Sequence, residues 1–340
     1  MLKLSEFDYP LPKELIAQYP LKNRQDSRLL IVNRKEGKLT HAVFKDVVSY
    51  LRKNDLLVLN DTKVLHCRLM GKKATGGRVE ILLTRRLSAT TFSCLVQPSR
   101  TKPGEKIFFA EGKVIGILSK RGEISFKAAD ADSIYNYGIV PLPPYIKREP
   151  EDSDKVAYQT VYAKNEGALA SPTAGLHFTQ GLLQEIQSLG VGLAYVTLHV
   201  GLGTFRPVKC EDILEHKMEP EHFVVPEATI KAIEQTKAQA GRIIAVGTTS
   251  LRALETYASG KKEGDTDLFI YPGYKFKLVD CLLTNFHLPR TTLFMLACAF
   301  CAAGASASGG GVELMKRAYQ EAVEKKYRFY SYGDAMLIIC

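Results

Sequence analysis

Four polar turns, each directly after an apolar strand-like segment, constrain the fold of this chain more than any other feature. Three of them, residues 170–179, 246–252 and 284–291, are followed by an apolar helical pattern, and the fourth, 199–206, follows another strand. Polar turns of this kind lie at the carboxyl ends of strands in open α/β sheets, where such sheets bind ligands. The pattern therefore predicts an α/β domain with one site built from several strand ends.

The organisation of the chain changes between residues 65 and 130, where short β-type runs follow one another with turn residues between most of them. A spacing of about 8–12 residues without helices predicts a small barrel or sandwich. Outside this region strands and helices alternate, and a proline begins a predicted helix over residues 12–19. We predict an α/β (mixed α+β) fold: residues 1–63 and 150–340 form the main domain, with a mixed sheet and helices, and residues 64–149 form an inserted β-barrel domain.

Charge and apolar content narrow the class of protein. The 340 residues carry a net charge of +10, which is compatible with a polyanionic partner such as RNA or DNA. The apolar run over residues 293–303 is about half the length that a membrane span needs, and the acidic N-terminus does not resemble a signal peptide. We therefore expect a cytoplasmic protein that does not enter a membrane.

The seven cysteines are odd in number and mostly scattered, which argues against a disulfide framework. Cys298 and Cys301 have the spacing of a metal or redox pair. They lie in an apolar helical pattern with no second pair nearby, and this setting favours buried helix cysteines.

The turn at residues 246–252 has the composition of an anion site. Gly247 permits a tight backbone, and three hydroxyl residues follow it before an apolar helical pattern. The exposed amides and the dipole at a helix start attract a carboxylate or phosphate. A single N-cap hydroxyl is the alternative, but capping does not need three.

Histidines in the other turns are candidates for proton transfer or ligand contact. His177 precedes a predicted helix, where an imidazole tends to stay neutral, and His287 lies in a turn dense in polar groups. His199 ends a predicted strand. For an isolated histidine such as His177 a bond to the backbone is the ordinary alternative. A further segment, residues 216–222, matches no metal spacing and is expected to be a solvated loop.

Motifs along nearly the whole chain resemble one enzyme family, the S-adenosylmethionine:tRNA ribosyltransferase-isomerases of queuosine biosynthesis. The segments that carry the resemblance are residues 7–12, 59–62, 141–146, 158–162, 172–179, 199–207, 246–252, 271–274, 284–289 and 327–336. Ser171 departs from the family, which usually has alanine there, and Glu219 stands where a histidine is common.

The resemblance implies a specific reaction. The family moves the ribosyl part of S-adenosylmethionine onto 7-aminomethyl-7-deazaguanine at the wobble position of a tRNA anticodon. The product is epoxyqueuosine, and adenine and methionine are released. The resemblance also implies a split α/β domain with an inserted barrel. S-adenosylmethionine is then a consumed substrate, and we expect no metal and no bound organic cofactor.

The turns and the resemblance together give the candidate site residues. For catalysis we expect His177 or His287 in proton transfer, and Asp61 in a polar contact to adenine or ribose. The expected substrate-binding residues are Thr173, Gly175, Phe178, His199, Gly201, Gly203, Thr204, Phe205, Arg206, Thr248, Thr249, Ser250, Arg252, Asn285, Phe286 and Arg290. The expected tRNA-binding residues are Arg85, Arg86, Arg100, Lys102, Lys147 and Arg148.

Two other functions remain open at this stage. An RNA methyltransferase would also use S-adenosylmethionine, but its usual glycine-rich loop and acidic ribose ligand are not evident. A non-catalytic RNA-binding protein would fit the basic charge, but it leaves the polar strand ends unexplained. We expect a monomer.

Overall fold

The computed structural model describes residues 2–127, 131–201, 203, 208–303 and 310–340, which form a large mixed sheet with helices on both faces and a closed barrel. The strands are β1 Arg28–Asn33, β2 Lys38–Val43, β3 Leu56–Asn60, β4 Thr62–Val64, β5 Arg68–Lys73, β6 Arg78–Arg86, β7 Thr91–Gln97, β8 Lys106–Phe109, β9 Val114–Lys120, β10 Glu123–Phe126, β11 Asn165–Ala168, β12 Gly192–Leu198, β13 Glu221–Val224, β14 Ile243–Val246, β15 Glu263–Thr266, β16 Cys281–Asn285 and β17 Ala335–Ile339.

The helices differ widely in length. The α-helices are α1 Ala131–Tyr135, α2 Asp154–Ala157, α3 Gln180–Ser188, α4 Glu227–Ala238, α5 Gly247–Tyr257, α6 Thr292–Ala302 and α7 Gly310–Glu324. Short 3-10 segments lie at Leu4–Phe7, Lys13–Leu15, Arg24–Asp26, Phe44–Tyr50, Ala110–Gly112, Thr173–His177 and Ile213–Glu215.

The large sheet has nine strands in the order β15-β13-β12-β3-β14-β16-β17-β1-β2. Strands β12, β3, β14 and β16 run parallel to one another, so their carboxyl ends lie at the same edge of the sheet. Strand β17 pairs antiparallel with β16 and parallel with β1, which joins the N-terminal hairpin to the sheet. A separate parallel pair, β4 and β11, leads toward the barrel.

Side chains that alternate along the central strands build two cores. On β3, Leu56 and Val58 face the core that includes α4 to α7, whereas Leu57 and Leu59 face the core that includes α3 and the segment Phe44–Tyr50. Successive strand residues point to opposite faces, so a strand that is apolar throughout must be covered on both sides.

The barrel closes in the order β10-β7-β6-β5-β8-β9, with every pair antiparallel. Its inside is apolar, because alternate residues such as Val79, Ile81 and Leu83 on β6 point inward. The prediction of a mixed fold with an inserted barrel is confirmed.

Two predicted helices differ from the structure. Residues 12–19 contain only the 3-10 turn Lys13–Leu15, because the backbone around Ile16 pairs with Phe329 instead of continuing a helix. The helix expected after the three hydroxyl residues of the turn 246–252 begins earlier, at Gly247, so these residues form its first turn instead of a loop before it.

Candidate active site at the carboxyl edge of the sheet

The ends of the parallel strands form a small, partly open pocket. Its walls come from the end of β16, the start of α5, the segment Thr173–His177 and the turn before β17. Six of the predicted site residues line it: Thr173, Thr248, Thr249, Asn285, Phe286 and His287. The structure thus brings all four polar turns to one cavity, the turn 199–206 only through Val200.

Helix α5 presents its amino terminus to this pocket. Gly247 has a φ of 90°, a conformation that glycine adopts without strain, and Val246 before it provides no side-chain cap. The first amides of the helix therefore lack intrahelical partners and favour an anion. Ser250 does not line the pocket, and its hydroxyl donates to the carbonyl of Val246 at 2.7 Å.

His177 is buried and both of its ring nitrogens have partners. Nδ1 lies 2.8 Å from the Ser27 hydroxyl and Nε2 lies 3.1 Å from the side-chain nitrogen of Asn285. The ring stacks on Phe44 with a centroid distance of 4.8 Å. Burial lowers the pKa of His177 to about 3, so the ring is neutral at physiological pH.

His287 lies in the pocket wall with a different environment. Its Nε2 is 3.0 Å from the Thr284 hydroxyl, and among the described residues Nδ1 has no hydrogen-bond partner. Burial lowers the pKa of this imidazole to about 3 as well. Of the two candidate bases, His287 is therefore the one with a nitrogen available to a ligand in the pocket.

Asp61 lies away from both histidines. Its carboxylate accepts hydrogen bonds from Thr197 at 2.6 Å and from Asn165 at 3.0 Å, and it faces a separate cavity beside α4. The structure does not bring Asp61 to the pocket that holds His287.

Four of the predicted substrate-binding residues have structural surroundings instead. Arg252 is buried and forms an ion pair with Glu221, so its charge is already balanced. Phe178 is fully buried against Phe44. Gly175 packs against the Tyr162 hydroxyl. Arg290 forms an ion pair with Asp8 at the surface.

The buried Glu221 also corrects the expected solvated loop. Glu221 begins β13, is 5% exposed, and accepts a hydrogen bond from the amide of Gly201 at 2.8 Å. Arg252 fixes the Glu221 carboxylate by the ion pair, and the carboxylate in turn holds the backbone after β12 at Gly201. Gly203 packs closely against Glu219.

A second, larger cleft lies between the barrel and this edge of the sheet. Arg85 and Arg86 at the end of β6 form one wall, and His199 and Gly201 lie on the other. His199 stacks on the exposed His222 at a centroid distance of 6.1 Å. Burial, and then the nearby His222, lower the pKa of His199.

The pocket and the cleft share Val200 in their walls. A molecule bound in the cleft would therefore lie next to the opening of the pocket.

The other four predicted tRNA-binding residues lie outside this cleft. Arg100 and Lys102 follow β7, at the end of that strand opposite to the hairpin beside Arg85. Lys147 is exposed and donates to the carbonyl of Pro144 at 2.7 Å. Arg148 is held by the buried Asp154, with a shortest distance of 2.6 Å.

Three predicted contacts, Thr204, Phe205 and Arg206, lie outside the described residues, as does most of the glycine- and serine-rich stretch 304–311. Sequence reasoning missed Tyr145, Ser331 and Ser171 as pocket residues. Tyr145 and Ser331 fall in motifs shared with the family, which was the signal that could have found them. The Ser171 hydroxyl is buried without a partner among the described residues.

The described residues contain neither a metal-ligand cluster nor a helix that could span a membrane. Within the part of the chain that the structure describes, no group of three or more His, Cys, Asp or Glu side chains is placed to hold a metal ion. In the same residues no helix combines the length and the apolar character that crossing a bilayer requires.

Comparison with known proteins assigns the chain to a family. The model of a family described as "Queuosine biosynthesis protein" matches residues 4–338. The S-adenosylmethionine:tRNA ribosyltransferase-isomerase of Sulfurihydrogenibium sp. is 50% identical over 99% of this chain and 100% of that protein. The enzyme of the same name from Aquifex aeolicus is 46% identical with the same coverage.

A solved structure supports the same assignment. The crystal structure of S-adenosylmethionine tRNA ribosyltransferase from Thermotoga maritima has 37% sequence identity and a TM-score of 0.56, and the match covers 98% of this chain and 100% of that one. On this evidence the chain belongs to the queuosine biosynthesis protein family.

Proposed function

We propose that the protein is an S-adenosylmethionine:tRNA ribosyltransferase-isomerase. It transfers and isomerises the ribosyl part of S-adenosylmethionine onto 7-aminomethyl-7-deazaguanine at the tRNA wobble position. The observation that carries this proposal is identity of about half the residues over the full length of enzymes with that name. A pocket lined by hydroxyl, amide and imidazole side chains supports it, beside a cleft with two arginines in one wall, at the edge where α/β sheets bind ligands.

The reaction needs a base, because the sulfonium group acidifies the adjacent 5′ carbon of the ribose. Removal of that proton leads to elimination of adenine. The amine of the modified base then attacks the ribosyl fragment, and ring rearrangement closes the epoxide as methionine leaves.

We propose His287 as the group that accepts the proton. In the tautomer whose Nε2–H donates to Thr284, Nδ1 presents its lone pair to the pocket. Burial lowers the pKa of this imidazole, so the ring is unprotonated at neutral pH. His177 lacks such a nitrogen, because both of its ring atoms are bonded within the protein.

The start of α5 is suited to the carboxylate of the methionine part. Its first amides face the pocket together with Thr248 and Thr249, and a helix amino terminus attracts negative charge. We assign no substrate contact to Arg252, since Glu221 already neutralises it.

The cleft beside the barrel is suited to the anticodon loop. Arg85 and Arg86 are exposed along one wall, and the cleft meets the pocket at Val200. Phosphates would contact the guanidinium groups while the wobble base enters the pocket. We also propose that the enzyme works as a cytoplasmic monomer, and that it requires no metal and no bound organic cofactor.

Product analysis tests the reaction. The protein is mixed with S-adenosylmethionine and a tRNA that carries 7-aminomethyl-7-deazaguanine, in a buffer with a chelator. Free adenine, free methionine and an epoxy-cyclopentanediol on the tRNA support the proposal. S-adenosylhomocysteine would instead identify a methyltransferase, and tight tRNA binding without turnover would identify a binding protein.

A variant tests the proposed base. In His287→Gln, turnover should fall by about 10²–10⁴-fold, which is the usual contribution of a positioned acid or base. Affinity for S-adenosylmethionine and for tRNA should change by only a few fold. Near-normal turnover would remove His287 from this role.

A further inference from the structure

One direction satisfies every member of a chain of hydrogen bonds behind the pocket. The Thr173 hydroxyl donates to Oδ1 of Asn285 at 3.0 Å, because that oxygen can only accept. The Asn285 amide then donates to Nε2 of His177 at 3.1 Å. The opposite nitrogen of the ring carries the proton and faces the Ser27 hydroxyl, which donates to the carbonyl of Arg24 at 3.3 Å.

With this direction, the side chains of Thr173 and Asn285 can only accept hydrogen bonds from a ligand in the pocket. The amide nitrogen of Asn285 also faces the carbonyls of Tyr330 at 3.3 Å and Asp334 at 3.4 Å, so both of its hydrogens are engaged. The hydrogen of the Thr173 hydroxyl is engaged by Asn285. The lone pairs of the Thr173 and Asn285 oxygens remain, and we call these two oxygens the acceptor edge.

The acceptor edge lies beside the start of α5. Thr173 and Asn285 line the same pocket as Gly247 and Thr248, and a carbon at the Cβ position of Gly247 would lie 3.7 Å from Cβ of Ala174. A wall of acceptors is therefore adjacent to a wall of amide donors. An α-amino acid carries its ammonium and carboxylate groups on one carbon, so it matches two such adjacent walls.

We infer that the acceptor edge binds the α-ammonium group of the methionine part of S-adenosylmethionine, and that His177 is a positioning residue that holds this edge in its acceptor orientation. The inference rests on the proposed function, because it takes S-adenosylmethionine as the substrate. The ammonium group has only donors, whereas the binding edge of adenine presents acceptors as well. A wall that offers only acceptors complements the ammonium group better.

His177 acts through Asn285 and not on the substrate. If Nε2 were protonated, the Asn285 amide would have to turn, which would present its nitrogen to Thr173 and place its oxygen against the Tyr330 and Asp334 carbonyls. The tautomer that carries its proton on Nδ1 leaves Nε2 as an acceptor, and together with the two carbonyls it opposes this rotation.

Binding of two ligands to the same protein tests the inference without turnover. Calorimetry gives the affinity for S-adenosylhomocysteine and for its deamino analogue, which lacks only the amine. The unsubstituted protein should prefer the amine by about tenfold or more, as expected for a charge-assisted hydrogen bond. In Thr173→Val and His177→Phe this preference should fall toward one.

His177→Gln is the matched control for His177→Phe. Phenylalanine keeps a ring on Phe44 but removes the acceptor for Asn285, whereas glutamine supplies an acceptor oxygen and should retain most of the preference. A general loss of stability would weaken both ligands alike and leave their ratio unchanged. If a His177 variant fails to fold, Thr173→Val still tests the inference, because it removes one oxygen of the acceptor edge and leaves His177 in place.

Two results would overturn the inference. One is an unchanged preference for the amine in both Thr173→Val and His177→Phe. The other is that the variants lose as much affinity for 5′-methylthioadenosine as for S-adenosylhomocysteine. Because 5′-methylthioadenosine has no amino acid part, that result would place adenine or ribose at the acceptor edge. Release of adenine and methionine by the unsubstituted enzyme, measured in parallel, would show that the proposed function stands even then.

Discussion

Among single substitutions, removal of one partner of the buried ion pair between Arg252 and Glu221 is expected to reduce stability most. Glu221→Gln leaves the Arg252 charge buried without its partner, and breaking a buried ion pair in this way costs about 3–5 kcal/mol. The exposed pair of Lys63 and Glu166 is the control, and Lys63→Met should cost less than about 1 kcal/mol. Urea unfolding measures both. Equal effects would mean that solvent reaches the Arg252 pair.

The two buried histidines should make the protein sensitive to acid. Their pKa is lowered from 6.5 to about 3, so between these values the unfolded chain binds more protons than the folded one. Stability is therefore complete above about pH 6.5 and is lost as the pH falls, at roughly 1 kcal/mol per pH unit for each imidazole. In His177→Phe, unfolding free energies at pH 7.5, 6 and 5 should show a smaller slope. An unchanged slope would mean that the ring titrates normally.

The residue types that form the pocket could be predicted from the sequence, but their individual roles could not. Thr173, Asn285 and His287 were expected in a site because polar groups cluster at strand ends. Which histidine keeps an unbonded nitrogen depends on Ser27, which is more than a hundred residues away from His177 in the chain. No local pattern contains that contact.

At the scale of elements, the turn Thr173–His177 depends on close packing at Gly175. A carbon at its Cβ position would lie 2.0 Å from the Tyr162 hydroxyl, which is buried. Gly175→Ala should therefore destabilise the protein by about 1–3 kcal/mol. Gly181→Ala in α3 is the matched control, because its nearest neighbour is 4.0 Å away, and it should be neutral or stabilising. Thermal unfolding distinguishes the two, and a neutral Gly175→Ala would show that Tyr162 can move aside.

A strand could be predicted from the sequence where an apolar run led directly into a polar turn. The parallel strands β3, β12, β14 and β16 follow from apolar runs that end in polar turns. Strands β2, β13 and β15 were not anticipated because they contain no continuous apolar run, and β17 was missed because it follows a polar turn instead of preceding one. The helix expected over residues 12–19 failed because its backbone pairs with residues near Phe329.

At the scale of the whole molecule, the proposed path of the tRNA is testable through salt. The slope of log affinity against log salt counts phosphate contacts, so Arg85→Ala should weaken binding and lower the magnitude of that slope by about 1. Arg100→Ala is the control, because it removes the same charge at the other end of β7. Filter binding at several salt concentrations measures both. A larger effect of Arg100→Ala would place the anticodon loop away from the cleft.

Strand order has a consequence for the synthesis of the protein. Among the described strands, the hairpin of β1 and β2 is synthesised before the rest of the sheet, yet it joins the sheet through β17, which is synthesised after the other strands. At roughly 5–20 residues per second, the hairpin must wait for on the order of tens of seconds. During that interval the edge of β1 that β17 will later occupy is unpaired. Nascent chains of this protein are therefore expected to need a chaperone, or dilute conditions, until β17 has been synthesised and paired with β1.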